Sequence, residues 1–189
     1  MKNKLLSSAI LITALFLVQI SVSNAQALKL TQMTFSSFQG EYKTLSSGNM
    51  LSVVGSMDDN LYSVSLPFPF YYDGTSMTSF YMSANGYICF NPLYNYSAYY
   101  NEYINQVNAS VNLMRKDLYV RNGSMYVSQE GTPGNRVVTI QWAGADFYYD
   151  YGGNMNYQVK LYETSNICEM VYGSMNCGTY TDWSYGQYY

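Results

Sequence analysis

From Leu61 to Phe90 the chain alternates between apolar and polar positions. Tyr62, Val64, Leu66, Phe68 and Phe70 fall on one parity, and Ser63, Ser65, Pro67 and Pro69 on the other. A period of two is that of a half-buried β-strand, with one face on a core and the other on water. The pattern predicts a strand over Leu61–Tyr72 and a turn at Asp73-Gly74. A second apolar run over Ser79–Phe90 follows, broken by a further turn signal at Asn85-Gly86. Pro67 and Pro69 have no N–H to give to a ladder, so that part of the strand is expected at a sheet edge or a bulge.

The rest of the chain repeats this rhythm. Gln26 to Asn60 is polar, with weak strand patterns at Met33–Phe35 and Met50–Val54, and Asp58-Asp59-Asn60 reads as a turn. Asn91 to Asn108 is aromatic-rich without a clean period and reads as a long loop with a short helix near Ala98–Asn105. Strand character resumes over Val111–Val120. Asn122-Gly123 is the strongest hairpin signal, expected to join Leu118–Arg121 to Met125–Ser128. After a turn at Gly131–Asn135, Arg136–Trp142 puts Val138, Ile140 and Trp142 on one face. Gly152-Gly153-Asn154 breaks a Tyr/Asp loop. Tyr157–Glu163 and Ile167–Gly173 form a last hairpin, with Val159 and Leu161 alternating in the first strand and Cys168, Met170 and Tyr172 in the second. About eight to ten short strands separated by turns predict an all-β fold, a two-sheet antiparallel β-sandwich of jelly-roll-like type. Leu66, Phe68, Phe70, Val138, Ile140, Trp142, Val159 and Leu161 are expected to point inward.

The beginning of the chain departs from the rhythm. Lys2 and Lys4 precede an apolar run over Leu5–Ile20, and small residues follow at Ser23-Asn24-Ala25 and Ala25-Gln26-Ala27. This is the pattern of a secretory signal peptide over residues 1–27. The strongly apolar part, Ala9–Val18, is too short to span a bilayer. Residues 28–189 then form one β-sandwich domain, best supported over 61–173, with 174–189 a last strand or a truncated tail. Without Lys2 and Lys4 the chain keeps seven basic against twelve acidic residues, a side-chain charge of −5. That balance argues against nucleic acid and anionic membrane surfaces as partners. Nothing after the signal is apolar enough to span a membrane. Export allows one disulfide among Cys89, Cys168 and Cys177, in any of three pairings, although Cys168 also fits a small buried hydrophobe.

The motifs, taken in order, resemble those of nidogen-like extracellular β-sandwich domains. LPFPFYYDGTSMTSFYMSANGYICF looks like that family's LPF-x-F strand, turn and S-x-N-G-aromatic strand. Asn108–Tyr119 sits where the family has a segment ending D-L-Y, here without its Pro-Phe-Trp. Asn135–Trp142, NRVVTIQW, and Tyr157–Gly173, YQVKLYETSNICEMVYG, resemble two further family segments. The resemblance covers Leu61–Gly173 and is nearest to domains of large secreted surface proteins of Bacteroidetes-type bacteria. It implies an adhesion or matrix module with no catalytic residues to carry over.

Candidate chemistry is sparse. The chain has no histidine, which removes the usual general base near neutral pH and the triads built on it. Glu163 and Glu169 flank one hairpin and read as solvated charge rather than a glycosidase pair. Asp58 and Asp59, and Asp146 and Asp150, offer the loop oxygens that calcium takes, though turn formation explains them as well. The 23 tyrosines exceed what strand preference requires. Those in loops, Tyr99, Tyr100, Tyr148 and Tyr149 above all, are the candidate contacts for a ligand. The sequence therefore reads as a secreted, non-enzymatic adhesion or extracellular-assembly module that binds a protein or matrix partner. The alternative is a carbohydrate-binding module, with calcium as an optional aid to binding.

Overall fold

The structure, a computed structural model, describes residues 29–45, 50–54, 58–90, 109–114, 116–120, 123–148 and 152–178. The expected signal peptide and the expected helix near Ala98–Asn105 lie outside them. Among the described residues ten strands form two antiparallel sheets. The larger is ordered β1 (Met50–Val54), β7 (Ser124–Glu130), β8 (Val137–Phe147), β9 (Asn154–Tyr162), β10 (Cys168–Asn176), with β6 (Leu118–Tyr119) also on β8. The smaller is ordered β2 (Leu61–Tyr72), β3 (Thr75–Ser83), β4 (Tyr87–Cys89), β5 (Ser110–Asn112). The jelly-roll likeness lies in the two-layer architecture; the strands themselves are wound as two meanders, with β1 placed beyond β7.

The parity of the sequence sets the packing. Phe68 and Phe70 of β2, Phe80 and Met82 of β3, and Ile88 of β4 meet Val138, Ile140, Trp142, Val159 and Leu161 in one buried cluster. Leu66 packs on its margin. Trp142 and Tyr157 stack with centroids 5.3 Å apart, and the indole N–H donates to the Ser83 carbonyl across the sheets at 2.8 Å. Pro67 and Pro69 meet both expectations at once. The strand carrying them, β2, is the edge of its sheet, and its register to β3 shifts between Ser65 and Phe70. On β10 the alternation delivers less burial. Cys168 packs on the core, but Met170 and Tyr172 are exposed, because β10 ends the larger sheet's path.

The hairpin expected at Asn122-Gly123 does not form. Arg121 and Asn122 lie outside the described residues, but β6 and β7 do not pair with each other. Both pair with β8, Tyr119 opposite Asp146 and Ser124 opposite Ala143. On the far side, Val54 pairs with Met125 and Asp58 bridges to Tyr119. β6 and β7 thus both run along β8 and not against each other. A Cβ on Gly123 would sit 1.7 Å from the Ala143 carbonyl oxygen. This glycine allows two backbones to approach rather than turning a chain.

Residues 29–45 form a strap, extended apart from a 3₁₀ turn at Leu30–Gln32. Leu30 N–H donates to Asp73 at the β2–β3 turn, 2.9 Å. Tyr42 then lies against Gly173 of β10. Further on, Gln158 of β9 donates to the Lys43 carbonyl (2.6 Å) and Leu45 N–H donates to Gln141 Oε1 of β8 (2.8 Å). The strap so crosses the outer face of the larger sheet and buries the two glutamines on it. The weak strand pattern at Met33–Phe35 belongs to this strap and enters no sheet.

Candidate functional site

The Asn85-Gly86 turn organises one end of the sandwich. Gly86 has φ +76°, and a Cβ there would meet the Tyr157 hydroxyl at 2.7 Å, so only glycine fits. Its carbonyl accepts the N–H groups of Leu113 and Met114, both at 3.2 Å. Asn85 is fully buried. Its Oδ1 accepts Leu118 N–H at 2.8 Å, and its Nδ2 donates to Asp59 Oδ1 at 3.2 Å. One side chain thereby fixes two segments remote in sequence, the Asp58–Asn60 turn and the start of β6. The S-x-N-G motif is a structural keystone rather than a contact surface.

Asn85 and the Asp58–Tyr119 bridge bring three carboxylates together. Asp58, Asp59 and Asp117 offer oxygens that all lie within 4.8 Å of one another. Partial burial, then the charges of Asp59 and Asp58, push the Asp117 carboxyl up from the ordinary 3.8 to about 6. Such a trio can share a proton or accept a hard cation. Asp117 was not among the sequence candidates; its only signal was its place in the D-L-Y segment.

Tyr148, one of the four candidate tyrosines, stands beside this trio. Its N–H donates to the Asp117 carbonyl at 3.1 Å, and its ring meets Tyr119 edge to face at 6.4 Å. The structure therefore joins Asp58, Asp59 and Tyr148, which the sequence had treated separately. Tyr99, Tyr100, Tyr149 and Asp150 lie outside the described residues. Asp146 has a different task. It is buried, and its two oxygens accept the N–H groups of Phe147 (2.8 Å) and Gly152 (3.2 Å), which holds the β8–β9 connection.

The glutamates considered for hydrolysis are engaged elsewhere. Arg136 forks onto Glu163 (2.8 and 2.6 Å), and Glu163 also accepts the N–H groups of Gly134 and Arg136. The Arg136 hydrogen bond foremost holds the Glu163 carboxyl down at about 2. The guanidinium lies 5.4 Å from the Phe68 ring centroid, so this pair bridges the sheets. Glu169 accepts the Tyr162 hydroxyl and lies 3.9 Å from Lys160. The three thiols are free: Cys89 is buried, Cys168 half-buried and Cys177 exposed. Burial pushes the Cys89 and Cys168 thiols up to about 12, far from reactive thiolates.

The chain is thus a two-sheet, all-β module with a buried S-x-N-G turn. The chain matches the family model described as NIDO related over residues 32–186, and it belongs to this nidogen-related family. Domains of that family are generally non-enzymatic. No curated protein and no solved structure matches the chain. Among the described residues no helix is long and apolar enough to cross a membrane.

Proposed function

We propose that this is an exported, non-enzymatic contact module that binds an extracellular protein partner through an apolar strip. One observation carries the reading. The exposed large hydrophobic residues of the described chain are Leu30, Met33, Phe35 and Phe38 on the strap, with Ile167, Met170 and Tyr172 at and along β10. Phe35 is 85% and Phe38 69% exposed. These two elements adjoin: Phe38 and Tyr172 line one shallow groove, and Asn166, next to Ile167, accepts the Tyr71 N–H of β2, the strand that ends beside Asp73. Exposed apolar side chains gathered this way mark contact surfaces.

The chemistry of the strip indicates the kind of partner. Leu30 to Gly40 contains no charged residue. Attraction by that segment is apolar, which suits a protein surface with its own apolar and aromatic side chains. The test is adhesion of beads coated with the domain to extracellular-matrix protein, measured across ionic strength. Phe35→Ser with Phe38→Ser should abolish attachment, leave the melting temperature unchanged, and act on binding that salt barely affects. Attachment that survives the double substitution, or that salt removes, would overturn this reading.

A further inference from the structure

The outer face of the larger sheet carries a second surface that shares no residue with the apolar strip. On that face, cross-strand pairs run in two rows over β7, β8 and β9. Tyr126, Gln141 and Gln158 form one row, and Ser124, Ala143 and Asn156 the next. Beside the second row β8 bulges at Gly144, which has φ +72° and donates its N–H to Asn156 Oδ1 at 3.1 Å. Bulges of this kind re-aim a strand next to functional sites. A cleft of about 470 Å³ opens over these rows, walled by Thr44 and Leu45 of the strap on one side and by Asp146, Gly153 and Asn154 on the other.

The lining selects among ligands. Gly123, Ala143, Gly144 and Gly153 give the floor small residues, although the space beside Gly123 and Gly153 is taken by the Ala143 carbonyl and the Asp146 carboxylate. The lining carries the Thr44 and Ser124 hydroxyls and the Asn154 amide, with Asn156 already bonded to Gly144, Asn154 and Ser174, and among the described residues one aromatic ring, Tyr126. Among the described residues no lysine or arginine lines the cleft, and their one carboxylate there, Asp146, is already held by two backbone N–H groups. Phosphate, sulfate and carboxylate ligands find no counter-charge among those residues, and a lipid tail finds no apolar depth. In the inner wall, Gln141 Oε1 accepts both Leu45 N–H and Gln158 Nε2, each at 2.8 Å, which fixes the amide and leaves its buried Nε2 without a hydrogen-bond partner. Buried donors are seldom left so.

From this geometry we infer that the β7–β8–β9 cleft is a binding site for neutral, hydroxyl-rich ligands, the uncharged sugar residues of a glycan. Sugar hydroxyls pair with the amide and hydroxyl lining, and a sugar face stacks on Tyr126 above the small-residue floor. The volume lies within the ~300–1,000 Å³ typical of small-ligand sites. This gives the carbohydrate alternative a place in the fold, independent of the protein contact proposed above and of any metal.

The experiment titrates the domain with neutral glucose-, mannose- and galactose-based oligosaccharides and, separately, with sulfated and sialylated ones, reading backbone amide resonances. Gly123, Gly144 and Gly153 should shift with a neutral oligosaccharide. Tyr126→Ala should weaken that binding by about tenfold or more. Ser124→Trp, which fills the cleft from its rim, should abolish it at an unchanged melting temperature. Phe35→Ser with Phe38→Ser should leave it intact, which separates this site from the apolar strip. Absence of those shifts with every neutral sugar, shifts from charged sugars alone, or binding that survives Ser124→Trp would overturn the inference.

Discussion

Asp117 shows how a single residue's chemistry is set from far along the chain. Its carboxyl is pushed up to about 6 by partial burial and then by Asp59 and Asp58, whereas the unfolded chain keeps it near 3.8. The folded state therefore holds this proton more tightly. The stabilising contribution is complete below about pH 4 and is lost as pH rises through about 6. Asp117→Asn should accordingly melt higher than the parent at pH 7.5, with the difference closing toward pH 4. A melting-temperature series over that range checks the sign; a difference that grows on acidification would mean the trio does not repel. Calcium added at pH 7.5 should raise the melting temperature of the parent and not of Asp117→Asn if the trio holds the ion. A flat response in both would leave it a proton-sharing turn. Asp58 and Asp59 were visible as a local run. Asp117 was not, because only the Asp58–Tyr119 bridge and the Asn85 side chain bring it to them.

At the scale of elements, what depended on neighbours in sequence was legible and what depended on neighbours in space was not. The β2 bounds, the Asp73-Gly74 turn and the last hairpin follow from period and turn residues alone. Asn122-Gly123 misled, because a two-residue turn and a close backbone approach both call for glycine, and only the course of β8 beside both flanking strands decides between them. The strap escaped notice for a related reason. Its anchors are main-chain groups, Lys43 O and Leu45 N, met by two glutamines whose burial has no apolar signature. The phase of β2 yields a direct test. Phe68 is 3% exposed and lies under Arg136, so Phe68→Ala should cost ~3–5 kcal/mol by denaturant unfolding. Ser65→Ala, on the opposite parity, should cost far less. Equal and small effects would shift the strand by one residue and exchange its faces.

For the whole molecule the open matter is which surface the tyrosines serve. Several of the described ones have clear places. Tyr87 and Tyr157 are buried, Tyr72 is buried and donates to the Ser110 carbonyl, and Tyr148 is half-buried against Tyr119 beside the acidic trio. Tyr72, Tyr87 and Tyr157 are interior, Tyr172 lies exposed on the apolar strip, and Tyr148, the one candidate tyrosine among the described residues, stands with Tyr119 where turns gather at an end of the sandwich. If the candidate loop tyrosines act together as anchors, replacing Tyr99, Tyr100, Tyr148 and Tyr149 with Ser should abolish attachment to matrix protein with little change in melting temperature, since a few aromatic anchors dominate most interfaces. The strap substitutions Phe35→Ser and Phe38→Ser supply the contrast. Loss of attachment from both sets makes the strip and the loop end one extended interface. Loss from the strap set alone, with the tyrosine set melting several degrees lower, returns those tyrosines to structural packing. In that case the uncharged strap and β10 carry the contact unaided, and the loop end is left to the Asp58, Asp59 and Asp117 trio.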